Sequence, residues 1–218
     1  MKVNRVFSPE DFRRVEEAVH EAEKRTSGEI VPFVVERSDA YASATWRAST
    51  LGALLASLGT AAAIHWVEVW GVPLSLWIAG PAVVGAGIGH LAAELVPALK
   101  RALIPRRVLS ERVEERAAQA FLSEEVFATR ERTGVLIFLS LFERRALVMG
   151  DKGIAAKVRQ EEWDGVIERL VRGMREGKPG EALVGAIDRC SGLLEGRGVE
   201  IRADDRDELA DGLRIGKP

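Results

Sequence analysis

The side chains able to do acid–base or nucleophilic work are few. Of the three histidines, His20, His65 and His90, only His20 lies outside a strongly apolar segment over residues 48–99. A Ser-His-Asp triad, a Cys-His pair or an H-E-x-x-H zinc site therefore has no means of assembling in the rest of the chain. The single cysteine, Cys190, excludes a disulfide framework and a Cys-based zinc site. It falls on an apolar helical stripe, which marks it as core. No G-x-x-x-x-G-K-S/T phosphate loop is present, and Gly85-x-Gly87-x-Gly89 sits inside an apolar run, so it is a packing feature and not a dinucleotide site. What remains is a pair of carboxylates, Asp39 after the first expected strand and Asp151 after the third. If those strands run parallel, both acids leave the same end of the sheet, where open sheets bind ligands. With loop carbonyls they would form part of an oxygen shell for calcium or magnesium. The plainer role for an aspartate in a Gly-rich loop is a turn or cap.

The elements that must position these residues are marked by apolar periodicity. Ser8, Pro9 and Asp11 form a capping box at the start of a helix whose apolar face is Phe12, Val15, Val19 and Ala22, with Phe7 placed to staple onto Phe12. Glu29 to Arg37 reads as a strand covered on both sides. Pro32 within it removes a ladder donor, so the strand is at a sheet edge there or irregular. A helix is expected from Leu109 to about Thr129, then a buried strand over Gly134–Leu141, a tight connection, and an antiparallel partner at Ala146–Met149. Trp163, Val166, Ile167, Leu170, Val171 and Met174 form one stripe of a further helix, and Leu183, Ala186, Ile187, Cys190 and Leu194 that of a last one. An edge strand is expected at 198–202, and residues 203–218 read as a charged, loosely held tail. The fold class is α/β, a mixed sheet sandwiched by helices.

Between Ala48 and Leu99 only Glu68 and Glu94 are acidic and there is no Lys or Arg, whereas 62 of the other 166 residues are Asp, Glu, Lys or Arg. The mean hydropathy of −0.01 is thus an average over two unlike materials. A bilayer core of about 30 Å needs about 20 apolar helical residues. The segment is long enough for two spans, about 48–66 and 74–96, turning near Glu68, Gly71 and Pro73. Trp46, Trp66, Trp70 and Trp77 fall at the proposed ends, where indoles favour the lipid–water interface. Arg37, Arg47, Lys100, Arg101, Arg106 and Arg107 flank the pair, and Trp66–Leu76 contains no Lys or Arg. The positive-inside rule places both flanks in the cytoplasm. The expected layout is then residues 1–47 and 100–202 as two parts of one cytoplasmic domain, with the hairpin at 48–99 in the inner (cytoplasmic) membrane. Ser49, Ala53, Ser57, Ala61, Gly85 and Gly89 recur at helical spacing, as expected where helices approach closely within the hairpin or between copies in a homo-oligomer. Pro81 is expected to kink the second span, and Glu94 to snorkel or pair with Arg101.

The order of motifs resembles a known family. Arg25-Thr26-Ser27-Gly28-Glu29-Ile30, Gly134-Val135-Leu136-Ile137-Phe138, Gly150-Asp151-Lys152-Gly153-Ile154 and then Trp163 are together similar to the TPM domain, over about Phe7–Tyr41 and Ser110–Leu194. The resemblance implies a mixed sheet between helices, sometimes with metal in an acidic cleft, in a family that includes an acid phosphatase and membrane-associated modulators. Here Ala155-Ala156-Lys157-Val158 stands where phosphatase-like members carry a longer acidic loop. The net charge of −2 offers no general basic surface and argues against a nucleic-acid partner. The expected partners are membrane lipids and another membrane protein, for which the chain would act as adaptor or assembly factor. The alternative is a calcium- or magnesium-dependent phosphatase acting near the membrane surface.

Overall fold

A computed structural model describes residues 2–64, 66, 73–199, 201 and 208–216. His65, Glu68, Trp70 and Gly71, at the expected turn between the spans, lie outside the described residues, as does part of the expected edge strand at 198–202. The element order is α1 (Val3–Val6), α2 (Pro9–Glu23), β1 (Ile30–Val35), α3 (Ala42–Ile64), α4 (Leu74–Leu95), α5 (Pro97–Ala102), α6 (Arg106–Ser123), β2 (Val135–Ser140), β3 (Arg145–Gly150), α7 (Lys152–Ala155), α8 (Gln160–Arg175), α9 (Pro179–Gly196) and β4 (Arg214–Gly216). Two compact units result, one of Met1–Ser38 with Ser110–Pro218 and one of Asp39–Leu109.

The first unit is a four-stranded mixed sheet in the order β3-β2-β1-β4. β1 pairs with β2 in parallel, Ile30 opposite Val135 through Val35 opposite Ser140. β2 and β3 form an antiparallel hairpin with Val135 opposite Gly150. Side chains of a strand alternate between faces, and both faces of this sheet are covered. Ile30, Val34, Val135, Ile137, Leu139 and Val148 pack with Val15 and Val19 of α2, Trp163 and Leu170 of α8, and Leu183 and Ile187 of α9. Val31, Phe33, Val35, Leu136 and Phe138 form a second core with Val113, Ala117 and Ala120 of α6. Phe33 and Phe138, opposite each other in the ladder, stack with centroids 5.9 Å apart. Double coverage explains why β1, and β2 as far as Leu139, are apolar at every position rather than at alternate ones.

The local signals act as their chemistry requires. Ser8 Oγ accepts from Asp11 N at 3.1 Å, and Asp11 Oδ2 accepts from Ser8 N at 2.8 Å, completing the capping box. Phe7 and Phe12 sit 6.3 Å apart, as the staple demands. Pro32 is tolerated because β4 pairs only with Phe33–Val35, which leaves β1 locally at the sheet edge where the missing donor falls. β4 itself lies in the stretch expected to be a loose tail. Three residues with one apolar side chain, Ile215, carry no periodic signal, yet they add a parallel edge strand beside β1. α6 ends at Ser123, six residues before the expected boundary.

The second unit contains α3 and α4, which are packed against each other and are both long and apolar enough to cross a membrane. Their backbones meet at glycine: a Cβ on Gly85 would lie 2.3 Å from the Gly52 carbonyl oxygen, and one on Gly89 2.2 Å from that of Ala48. Ser49 is buried in this unit, whereas Ala53 and Ser57 are only half-buried. The close approach thus runs through Ala48, Gly52 and Ala56, one position off the expected stripe. Pro81 lies inside α4, whose helix continues through it. Leu54, Leu55, Leu58, Val83, Val84, Ile88 and Leu91 remain exposed. Two hydroxyls on α3 are satisfied within the helix, Thr50 and Thr60 donating to the Trp46 and Ala56 carbonyls.

Because a methyl at Gly85 must push on backbone while one at Gly87 meets open space, Gly85→Ala is expected to lower the stability of the detergent-solubilised chain by about 1–3 kcal/mol. Gly87→Ala should leave it unchanged or slightly raised. Tryptophan-monitored thermal unfolding of both variants checks this.

Candidate functional site

The strand directions decide what the two aspartates can share. Since β1 and β2 are parallel and β3 runs against β2, the carboxyl end of β3 lies at the amino end of β1. β1 and β3 are therefore antiparallel in direction, contrary to the arrangement that would bring both acids to one end. Asp151 follows β3 at the end of the sheet carrying Ile30 and Val135, while the chain leaves β1 for Asp39 from the end carrying Val35 and Ser140. Within its own unit Asp39 Oδ1 accepts from Tyr41 N at 3.0 Å, a turn that ends in the left-handed Tyr41 (φ 50°) ahead of α3.

Asp151 is buried and committed. Its Oδ2 accepts from Arg132 Nε at 2.5 Å and its Oδ1 from Arg132 Nη2 at 3.0 Å, a bidentate pair. Oδ1 also accepts from Lys152 N at 2.7 Å and so caps α7. The hydrogen bond to Asp151 holds the Arg132 guanidinium above its ordinary pKa. Arg132 reaches this position from a left-handed backbone (φ 60°) and lies over the Phe127 ring, 5.5 Å from its centroid. The Gly-Asp-Lys-Gly turn is pressed onto the same loop: Asp151 N donates to the Gly134 carbonyl and Gly153 N to that of Arg132. A Cβ on Gly153 would stand 2.5 Å from the Glu131 oxygen. The motif is thus a latch between the β3–α7 turn and the loop before β2.

A calcium or magnesium ion does not fit this donor set. Calcium takes six to eight oxygens and magnesium a strict octahedron, but both Asp151 oxygens face a cation already. Among the described residues no group of three or more His, Cys, Asp or Glu converges as metal ligands.

The opposite end of the sheet holds a polar cluster that sequence reasoning missed. Ser140 Oγ is hydrogen-bonded to Glu143 Oε2, Ser38 Oγ lies 3.0 Å from Ser140 Oγ, and Glu143 Oε1 accepts from Ser38 N at 2.9 Å. Ser140 and Glu143 are buried. The cluster ties the exit of β1 to the β2–β3 hairpin at the carboxyl end of the two parallel strands. Its only trace in the sequence is a hydroxyl closing an otherwise apolar strand three residues before a carboxylate.

In the second unit Glu94 Oε1 accepts from Thr45 Oγ1 and from Lys100 Nζ, each at 2.8 Å. The partner is Lys100 and not Arg101, and Lys100, expected to face lipid headgroups, is only 6% exposed. Arg47 Nη1 donates to the Leu103 carbonyl at 2.9 Å. Arg106 and Arg107 are exposed and Arg101 is half-buried. Trp46 and Trp66 are 70% and 86% exposed, and Trp77 is exposed as well. Cys190 lies in the first unit's core, where burial pushes its thiol up to about 12.

Residues 101–193 match the family model of the TPM domain. The NMR structure of BA42 protein from the psychrophilic bacterium Bizionia argentinensis superposes with a TM-score of 0.59 at 18% identity, covering 99% of each chain. That likeness concerns the fold. No curated protein matches the sequence.

Two outcomes follow. Asp151→Asn should lower the thermal midpoint by a few degrees through loss of the charged bidentate pair, while added Ca²⁺ or Mg²⁺ leaves the midpoint of the unaltered chain unmoved; differential scanning of both checks it. Cys190 should resist a thiol-reactive chromogenic disulfide in the native state and react fully in denaturant, as read by absorbance.

Proposed function

We propose that this chain is an integral membrane protein whose TPM domain faces the cytoplasm and serves as an adaptor or assembly factor for another membrane protein. The observation that carries the membrane reading is the surface of α3 and α4. Their small residues pack on each other while Leu54, Leu55, Leu58, Val83, Val84, Ile88 and Leu91 point outward into the surroundings, a distribution that suits lipid and not water. The cytoplasmic orientation is supported by Arg37, Arg47, Arg101, Arg106 and Arg107 around the hairpin, against no basic residue from Trp66 to Leu76. Binding rather than hydrolysis is supported by Asp151, whose carboxylate is engaged by Arg132 and a helix cap instead of a site for water activation.

Orientation is tested by single cysteines introduced in a Cys190→Ser background and treated with an impermeant maleimide on intact cells. Glu68→Cys should label and Arg169→Cys should label only after permeabilisation; the reverse pattern overturns the orientation. For the activity, phosphate release from a phosphomonoester by the purified full chain should be absent with or without Mg²⁺ or Ca²⁺. Metal-dependent turnover abolished by Asp151→Ala would overturn the adaptor reading in favour of an enzyme.

A further inference from the structure

The first unit contains a cavity of about 110 Å³ at the carboxyl end of β2, room for a group of a few heavy atoms. Leu139 and Leu141 from the end of β2 and Val171 and Met174 from the last turns of α8 supply its apolar lining, and Arg144 and Arg175 its charged one. Ser140 also borders it, but its hydroxyl is bonded to the buried Glu143, whose other oxygen holds Ser38 N. Arg144 and Arg175, both exposed, are thus the polar side chains at the cavity whose donors are not taken up. Among the described residues neither Arg144 nor Arg175 forms an ion pair or side-chain hydrogen bond, whereas Arg132 and Arg197 have carboxylate partners.

Arg175 alone would be accounted for by the negative end of the α8 dipole. Arg144 would not. It occupies the β2–β3 turn with φ 54°, a conformation in which glycine or asparagine is cheaper than a long side chain. A long cationic residue kept in left-handed backbone, beside a second unpaired cation and over an apolar floor, is the pattern of a ligand clamp rather than of a turn.

We infer that this cavity binds a small amphiphilic anion, a phosphate or carboxylate held between Arg144 and Arg175 with a short apolar tail against Leu139, Leu141, Val171 and Met174. The head can come from a soluble metabolite-sized ester or acid, or from an anionic lipid. The site stands independently of the adaptor reading, since neither the orientation nor the partner enters it.

The Met174 methyl, in the cavity, and the Met149 methyl, on β3 and outside it, provide an internal reporter and control. The full chain is labelled with ¹³C-methyl methionine, placed in phosphatidylcholine nanodiscs and titrated with butyl phosphate, butyrate and inorganic phosphate. Expected is a saturable Met174 shift with butyl phosphate or butyrate, at least tenfold weaker with inorganic phosphate, and Met149 unmoved. Arg144→Gln with Arg175→Gln should abolish the shift while Met149 keeps its position, which shows the sheet intact. Repeating the spectrum in phosphatidylglycerol nanodiscs without solute distinguishes the sources: a Met174 shift there assigns the anion to lipid, and none assigns it to a soluble molecule. No saturable Met174 shift with any of these anions or lipids, or a shift that survives in the double variant, overturns the site. Equal binding of inorganic phosphate overturns its amphiphilic specificity. Should the double variant lose Met149 dispersion, Arg144→Gly, which suits the left-handed turn, carries the same test.

Discussion

The pairing of β1 with β2 is the contact on which the first unit rests. Ile30–Val35 and Val135–Ser140 lie on either side of the whole hairpin, and their six-residue parallel register brings the two parts of the chain into one sheet. Each face of that pair is then sealed by its own core, one with α2, α8 and α9 and one with α6. A parallel pair cannot be closed by a tight turn and needs a long crossover. Here the crossover accommodates an entire membrane-compatible hairpin, so the insertion sits at a place where the topology already required a long connection.

Much of this was legible in the residues. Apolar stripes at 3.6-residue spacing marked α2, α8 and α9, unbroken apolar runs marked β1 and β2, and the charge gap over 48–99 marked α3 and α4. Strand direction was not legible. A strand apolar at every position, such as Val135–Leu139, fits a sheet equally well either way up, so the sequence held no information that would separate Asp39 from Asp151. β4 escaped for a different reason: three residues are too few for a period, and its partner register is fixed by β1 rather than by its own composition. The one-position shift of the α3 contact from Ala53 to Gly52 reflects backbone approach, which favours the residue without a side chain over one with a small one.

The acidic residues show how partner supply decides role. Asp151, which looks like chemistry in the linear sequence, and with it Glu143 and Glu94 are each engaged by hydrogen bonds that hold one segment to another: loop to turn, strand exit to hairpin, and α3 and α4 to α5. Carboxylates engaged by such donors fix geometry more than they offer reactivity. Arg144 and Arg175, by contrast, hold no side-chain partner among the described residues, which leaves their donors to the anion proposed above.

The 105-position separation of Ile30 from Val135 also has a consequence during synthesis. At roughly 5–20 residues per second, β1 emerges roughly 5–20 s before its neighbour exists. For that interval a six-residue apolar ribbon, Ile-Val-Pro-Phe-Val-Val, stands without a partner while the hairpin is being made. Pro32 in its centre then has a second use, as an interruption that blocks the ribbon from templating a continuous ladder with another nascent chain.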